Sequence, residues 1–404
     1  MERLYRGSVK DLWGPFSETD KDLGAIVFDY SDCFSVFDWG RMPDTIPGKG
    51  RALAILAAAV FERLELPESW QEFSKSPEAL ALRKGNRFGA AFNELGEKLK
   101  AQGLKTHYLG VLPGVPQTSG EYSPMRLEKF SQVNSSACAI AVKRVSVSPP
   151  VPGSVLGRSV SDYSKTFGAS FPKLIPLEVV FRFSCPAGSS LLGRVARDFD
   201  YLKNLGAGPA TLGEGGVSRW DFPVMELFTK LESTDRVLSL SEGLAISGLP
   251  ANVLHELFLT TAWVAGILKY WFGNLGFELA DGKLEWAVDS NGGIFLADAI
   301  GPDELRLMKS GVQFSKEFLR TFYRRTPWYE WVNRAKSEAA NQGVSEWKRG
   351  VTQAPPTLIA PYRDLASQVY WAITNQFTGR RWFVDAWELD RICSELRELS
   401  GATQ

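Results

Sequence analysis

Polar and apolar positions alternate in short runs from the first residues: "RLYRGSVKDLWG", then "GAIVFDYSDCFSVFD". This is the period of half-buried strands. A Pro/Gly turn, "MPDTIPGKG", leads into a helix from Arg51 to about Glu65. Further strands are expected at "HYLGVL" and "ACAIAVKRVSV", closing an antiparallel sheet with helices near Val147. The next stretch, "SPPVPGSVLGRSVSDYSKTFGASFPK", is rich in Pro, Ser and Gly and reads as a loop, a boundary or an insertion. The run "LIPLEVVFRF" predicts a strand buried on both faces. A glycine-rich loop, "LGAGPATLGEGG", separates it from a long helix over about Pro250 to Phe272. A hairpin around Asn291-Gly292 and a helix through "SKEFLRTFYRR" follow. Beyond 326, polar helical segments broken by "TQAPPT" end in the amphipathic "WELDRICSELREL". The pattern predicts an α+β protein in three parts: 1–147, 148–325 and a helical 326–404.

Composition narrows the function classes. Lysine plus arginine equals aspartate plus glutamate at 46 each, so no global field points to nucleic acid or an anionic membrane. The apolar runs Leu53 to Phe61 and Leu257 to Leu268 are shorter than the roughly 20 residues of a bilayer span and read as buried helices. The charged start "MERLYRGSVKDLWG" has no apolar signal region, and four scattered cysteines form no CxxC pair. A reducing cytoplasm is the expected compartment. Two histidines, His107 and His255, exclude a multi-histidine metal site and are expected to be structural. Any chemistry falls to carboxylates, lysines and arginines.

Three segments can carry it. A two-residue Asn291-Gly292 loop sets Glu285 directly opposite Asp298, a destabilising like-charge pair unless something cationic sits between them. A solvated surface hairpin is the plain alternative, and a Gly292-Gly293 loop would instead set Glu285 against Ile300. A divalent cation such as Mg²⁺, held by one or two carboxylates and phosphate oxygens, would turn the repulsion into a site. Asp281, Lys283, Asp303 and Arg306 flank the open end of the hairpin as a mixed-charge pocket. In "LYRGSVKDLWG", the turn at Gly7 and Ser8 with Lys10 can cover nucleotide phosphates. In "KLIPLEVVFRFSCPAGSSLLGR", Arg182 with Gly188 and Ser189 can cradle a phosphate or carboxylate, unless Arg182 pairs with a structural acid. Two other stretches are set aside. "LGAGPATLGEGG" lacks the strand–helix setting of a dinucleotide loop, and the aromatics of "VYWAITNQFTGRRWF" suit a buried helical face.

Taken in order, these segments resemble the SAICAR synthetase (phosphoribosylaminoimidazole-succinocarboxamide synthase) family. "LYRGSVKDLW" is similar to its opening glycine loop, and "SDCFSVFDWGRMPDTIPGKG" to its S-D-x-x-S-A-x-D…I-P-x-K-G segment. "KLIPLEVVFRFSCPAGS" resembles P-L-E-V-V-x-R…G-S, and "FTKLE" resembles S-T-K-A-E. "DGKLEW…LADAIGPDELRL" is similar to D-x-K-x-E-F…x-D-E-x-S-P-D-x-x-R. "SKEFLRTFY" and "PPTLIAPYRDLASQVYWAITNQFTGRRW" are similar to the closing helices of longer members. The resemblance implies an N-terminal sheet lobe, a larger α/β lobe, an ATP cleft between them and a C-terminal helical extension.

It also implies an ADP-forming ligase of purine biosynthesis. ATP would activate a ribonucleotide carboxylate as an acyl phosphate, and L-aspartate or another amine would then form the amide. Gly7, Ser8, Lys10 and Lys230 would face the phosphates, and Glu285 and Asp298 would hold Mg²⁺. Arg182, Ser189, Arg306 and Arg320 would bind the ribonucleotide's phosphate and carboxylate. Asp281, Lys283 and Asp303 would orient the imidazole, with Ser35, Asp38 and Lys49 lining the cleft. The chain departs from the pattern at Ser8, at Ala299 where an acid is expected, and by one extra residue in "RFSCPAGS". In "STDRVLSLSE" only Asp235 remains of an acidic segment, and 146–173 and 326–350 are added. A paralogous ligase for another carboxylate or amine, or a non-catalytic nucleotide-binding protein, therefore stays open. A homo-oligomer is compatible with all three.

Overall fold

The N-terminal alternation produces a hairpin of β1 (Glu2–Arg6) and β2 (Lys10–Phe16), closed by the Gly7 N–H donating to the Lys10 carbonyl at 3.1 Å. A Cβ on Gly7 would lie 2.4 Å from that oxygen, so the turn requires glycine. The computed structural model describes residues 1–16, 24–86, 88–113, 126–186, 188–207, 219–232, 234–342 and 347–401. β3 (Ala25–Tyr30), β4 (Tyr108–Leu112) and β5 (Ala139–Lys143) complete an antiparallel sheet in the order β1-β2-β3-β5-β4. Between β3 and β4 run α1 (Lys49–Glu65), α2 (Pro67–Phe73), α3 (Pro77–Gly85) and α4 (Ala90–Gln102). Asp32 fixes the start of α1 by accepting the Gly48 and Gly50 N–H groups at 3.0 and 2.9 Å. This satisfies donors that a helix N-terminus leaves unpaired.

The Pro/Ser/Gly stretch is not a plain loop. It forms a two-stranded hairpin of β6 (Val151–Val155) and β7 (Arg158–Asp162), followed by α5 (Ser164–Phe167). β8 (Lys173–Ser184), α6 (Ser190–Val195), α7 (Tyr201–Asn204), β9 (Arg219–Thr229), β10 (Val237–Leu238) and α8 (Leu240–Ser247) come next. Most of the glycine-rich run 205–216 lies outside the described residues. α9 (Ala251–Gly273) precedes β11 (Glu278–Val288), β12 (Ile294–Ala297), β13 (Leu305–Lys309) and β14 (Val312–Gln313). The second sheet runs β10-β9-β8-β11-β13-β14, with β12 also on β11. The run Leu257 to Leu268 belongs to α9, whose 23 residues are long and apolar enough for a span, contrary to the expectation from the run alone. Most of α9 is buried, and it packs on β8, β9 and β11 as a core helix.

The tail forms α10 (Glu317–Arg324), α11 (Pro327–Gln342), α12 (Ala360–Thr378) and α13 (Leu389–Gly401). α12 packs on α1, so one hydrophobic core runs from Ile26 to Leu396. The two sheets meet where the Leu296 N–H donates to the Lys105 carbonyl (3.0 Å) and the His107 N–H to the Leu296 carbonyl (2.9 Å).

The β11–β12 register corrects the sequence expectation. Glu285 pairs with Ala297, not Asp298 or Ile300, because the loop is 289–293 rather than two residues. Asp289 closes it: its carboxylate accepts the Asn291 and Gly293 N–H groups at 2.9 and 2.8 Å. Such an Asx turn competes with the tight Asn-Gly turn and moves the register by one. Asp298 thus falls just beyond β12, at φ 63°, a left-handed conformation uncommon for a non-glycine residue.

Candidate active site

The like-charge opposition survives with a different partner: across the other edge of β11, Glu285 faces Glu178 of β8. Asp281, Lys283 and Glu285 are alternate residues of β11 and share one face of the sheet. Glu178 and Arg182 stand on that face of β8, and Glu226 joins them from β9 through its pairing with Val180. An otherwise apolar strand thus delivers charges to one side, and each buried charge needs a partner there.

Lysines supply the partners at one end. Lys230 Nζ lies 2.8 Å from Glu178 and 2.7 Å from Glu285, while Lys283 Nζ is 2.7 Å from Glu178 and 3.6 Å from Glu285. Lys10 reaches over from the first sheet to Asp298, with its ammonium 4.4 Å from the Phe28 ring. In these direct pairs three ammonium groups meet three carboxylates, and Asp235 is a fourth acid nearby, its carboxyl raised to about 6 by burial and then Glu178. Burial, with Asp298 next in effect, pushes the Glu285 carboxyl up to about 7. Asp298 is half-buried, and although desolvation opposes its ionisation, Lys10 and then Lys230 hold it far below the usual carboxylate range. Beneath it the buried His107 ring, pushed down to about 3 chiefly by burial, hydrogen-bonds the Asp298 backbone. His107 is a neutral prop for the left-handed residue.

At the other end of the face, Arg182 lies 2.7 Å from Glu226, 3.1 Å from Asp281 and 3.4 Å from Ser189 Oγ. Arg306 Nε is 3.3 Å from Asp281, and Arg194 and Tyr201 both bond Glu226 at 2.7 Å. Arg182 thus touches Ser189 and shares Asp281 with Arg306, whereas Arg320, expected with them, lies apart on the cavity between the lobes. Arg182, however, is engaged by acids, the alternative weighed for it from sequence. Among the described residues Arg306 Nη1 is a buried donor without a partner.

Gly7, Ser8, Ser35, Asp38, Asp303 and Arg320 line a cavity of about 480 Å³ between the lobes. Its walls are pinned from behind. Arg41 Nε donates to the Gly7 carbonyl at 2.8 Å and its other end pairs with Asp11. Asp38 sits at φ 61° and pairs with Lys336 at 2.8 Å. Asp303 accepts from the fully buried Lys49 at 2.9 Å and from Tyr370 Oη at 2.6 Å. Burial opposes ionisation of Asp303, but Lys49 and Lys316 outweigh it and hold the carboxyl at about 2. Arg320 pairs with Glu317 at 2.9 Å and keeps a buried Nε without a partner among the described residues. Glu304, next to Asp303 in the chain, has its carboxyl raised to about 8 by burial, Asp303 and Asp298.

The predicted residues therefore fall into three adjoining neighbourhoods rather than one. Lys10, Lys230, Lys283, Glu285 and Asp298 form the cluster. Arg182, Ser189, Asp281 and Arg306 form the arginine end. The remainder line or support the cavity. Sequence reasoning missed Glu178, although an acid inside the apolar "LIPLEVVFRF" was the signal for it. Arg41, Glu226, Glu304 and Tyr370 carried no such signal. Among the described residues no group of three or more His, Cys, Asp or Glu side chains is placed to hold a metal ion. A buried Glu285 and a half-buried Asp298 with lysine counter-ions fit an ion that draws its other ligands from a phosphate, as Mg²⁺ does, rather than one caged by protein.

Known proteins share the sequence pattern and the fold of this chain. The family model described as SAICAR synthetase matches residues 3–335. A putative phosphoribosylaminoimidazole-succinocarboxamide synthase of Archaeoglobus fulgidus is 35% identical, over 97% of this chain and 99% of its own length. The Thermoplasma acidophilum phosphoribosylaminoimidazole-succinocarboxamide synthase is 29% identical over 95% of this chain and 100% of its own. The fold is shared with the SAICAR synthase of Saccharomyces cerevisiae solved with SAICAR, at a TM-score of 0.52 and 19% identity, covering 94% of this chain and 95% of that one. By sequence along nearly its whole length and by fold, the chain belongs to the SAICAR synthetase family, whose members are ADP-forming carbon–nitrogen ligases.

Proposed function

We propose that this protein condenses carboxyaminoimidazole ribonucleotide with L-aspartate, at the cost of ATP, through an acyl phosphate. The observation that carries the reading is the charge-balanced cluster of Lys10, Lys230 and Lys283 with Glu178, Glu285 and Asp298, built from the family's motif positions beside the cavity. Glu285 and Asp298 would hold Mg²⁺, which supplies charge neutralisation at the phosphates. Lys10 and Lys230, released from those carboxylates as the metal takes their place, would turn to phosphate oxygens. The Gly7-Ser8 turn would lie over the phosphates, held by Arg41. The donors without partners on Arg306 and Arg320 are available to the ribonucleotide's phosphate and carboxylate. Asp303, kept ionised by Lys49 and Tyr370, would orient the imidazole with Asp281 and Lys283.

The substrate carboxylate oxygen takes the γ-phosphoryl group and ADP departs. The aspartate nitrogen then bonds to the carbonyl carbon, the C–O bond to phosphate breaks, and the amine proton is lost with phosphate. Both steps demand fixed positive charge around developing negative oxygens, and neither demands a histidine. Ala299 and the engagement of Arg182 by Glu226 and Asp281 favour a second reading, a ligase for a different carboxylate. Purified protein with MgATP and L-aspartate should release ADP only when carboxyaminoimidazole ribonucleotide is present. Turnover with other carboxylates but never with that one overturns the first reading and leaves the second.

A further inference from the structure

The β6–β7 hairpin stands off the molecule with every residue of both strands exposed. An isolated two-stranded hairpin is at best marginally stable in water, so one that projects alone needs something to pack on. Its two faces differ. The register Val151↔Asp162, Gly153↔Val160 and Val155↔Arg158 puts these six residues on one side, and Pro152, Ser154, Ser159 and Ser161 on the other. The first face is an apolar strip with a cation near the tip and an anion at the base. The turn adds an anomaly: Leu156 has φ 51° and is 98% exposed. That position of a tight hairpin favours Asn or Gly, and an exposed leucine there is both strained and unsheltered.

We propose that this hairpin is a dimerisation arm whose partner is the same hairpin of a second copy, packed face to face and antiparallel about a twofold axis. The strip is self-complementary under that operation. Val160 meets Val160 across the axis, Val151 of one copy meets Val155 of the other, and the two Gly153 residues leave room at the centre for close approach. Arg158 at each tip comes over Asp162 at the opposite base. The Arg158 side chain makes no hydrogen bond or ion pair within its own chain among the described residues. Asp162 accepts the Ser164 N–H at 2.9 Å and also bonds the Ser164 side chain, yet stays fully exposed to an incoming cation. Tip-to-tip packing would instead press both charges onto valines and leave them unpaired, which disfavours it. The strip alone is smaller than the roughly 1,600 Å² of a standard interface. The exposed Val147, Phe167 and Phe171, next to the base of the hairpin in sequence, are the apolar surface that the opposing Leu156 would meet.

Sedimentation equilibrium of the full chain tests this. The wild type should be a dimer at about micromolar concentration, and Arg158→Asp or Asp162→Arg alone should weaken it at least tenfold, roughly, through like-charge contacts repeated across the axis. An equimolar mixture of the two variants should restore the dimer, because every cross-axis contact is then between opposite charges. Leu156→Asn should relieve the turn, leaving thermal stability equal or higher, while also weakening association. A monomeric wild type, a dimer indifferent to both charge reversals, or variants that stay apart on mixing would each overturn the proposal.

Discussion

Glu285 illustrates how far a single residue could be read from the sequence. Its side chain was legible as a carboxylate facing another acid, with a solvated hairpin as the alternative. The identity of that acid was not, because it depends on the Asx turn of Asp289 and on Asp298 leaving the ladder at φ 63°. The true cross-strand partner, Glu178, lies over a hundred residues away on β8, where spacing along the chain cannot place it. Glu304 yields a prediction at this scale. Its carboxyl titrates at about 8 in the folded protein, raised by burial and by Asp303 and Asp298, against about 4.3 in an unfolded chain. Between those values the folded state keeps a proton that the unfolded state has lost, so the contribution of Glu304 to stability is lost as pH rises toward 8. Glu304→Gln removes this loss. The thermal midpoint of the variant relative to wild type should climb steadily from pH 5 to pH 8, read by scanning calorimetry. A difference that does not vary with pH contradicts the assignment.

Among the elements, strongly periodic ones were legible and compositional ones were not. The alternating N-terminal strands, the buried β8 and the helices over 51–65 and 250–272 follow from patterns that packing reinforces. The β6–β7 hairpin was hidden because Pro, Ser and Gly dominate its composition, while the alternation of Val151, Gly153 and Val155 is faint. The aromatics of α12 were rightly assigned to a buried face, but that reading did not extend to what one of them touches. Tyr370 Oη reaches Asp303 at 2.6 Å, so α12 holds a carboxylate of the cavity. Tyr370→Phe removes one hydrogen bond to an ionised group and nothing else of volume. We expect KM for the carboxylate substrate to rise about tenfold with kcat little changed. An unchanged KM would make Tyr370 a packing residue only.

On the scale of the whole molecule, two antiparallel sheets joined at Leu296 and His107 enclose a cleft, and Lys10 crosses it to Asp298. In the directly paired cluster each acid has a lysine, and on the proposed reading that pairing would tie metal and nucleotide together. Mg²⁺ alone would displace ammonium groups and leave them without counter-ions, while nucleotide alone would meet carboxylates. The pair arriving together satisfies both sets, so nucleotide affinity should depend strongly on the metal. The most direct measurement is titration calorimetry of ATP into the protein with and without Mg²⁺, for wild type, Glu285→Gln and Asp298→Asn. Wild type should bind ATP well only with Mg²⁺, and each variant should lose that metal-dependent gain while circular dichroism shows the fold intact. Equal MgATP affinity in wild type and both variants would contradict the placement of the nucleotide site at this cluster.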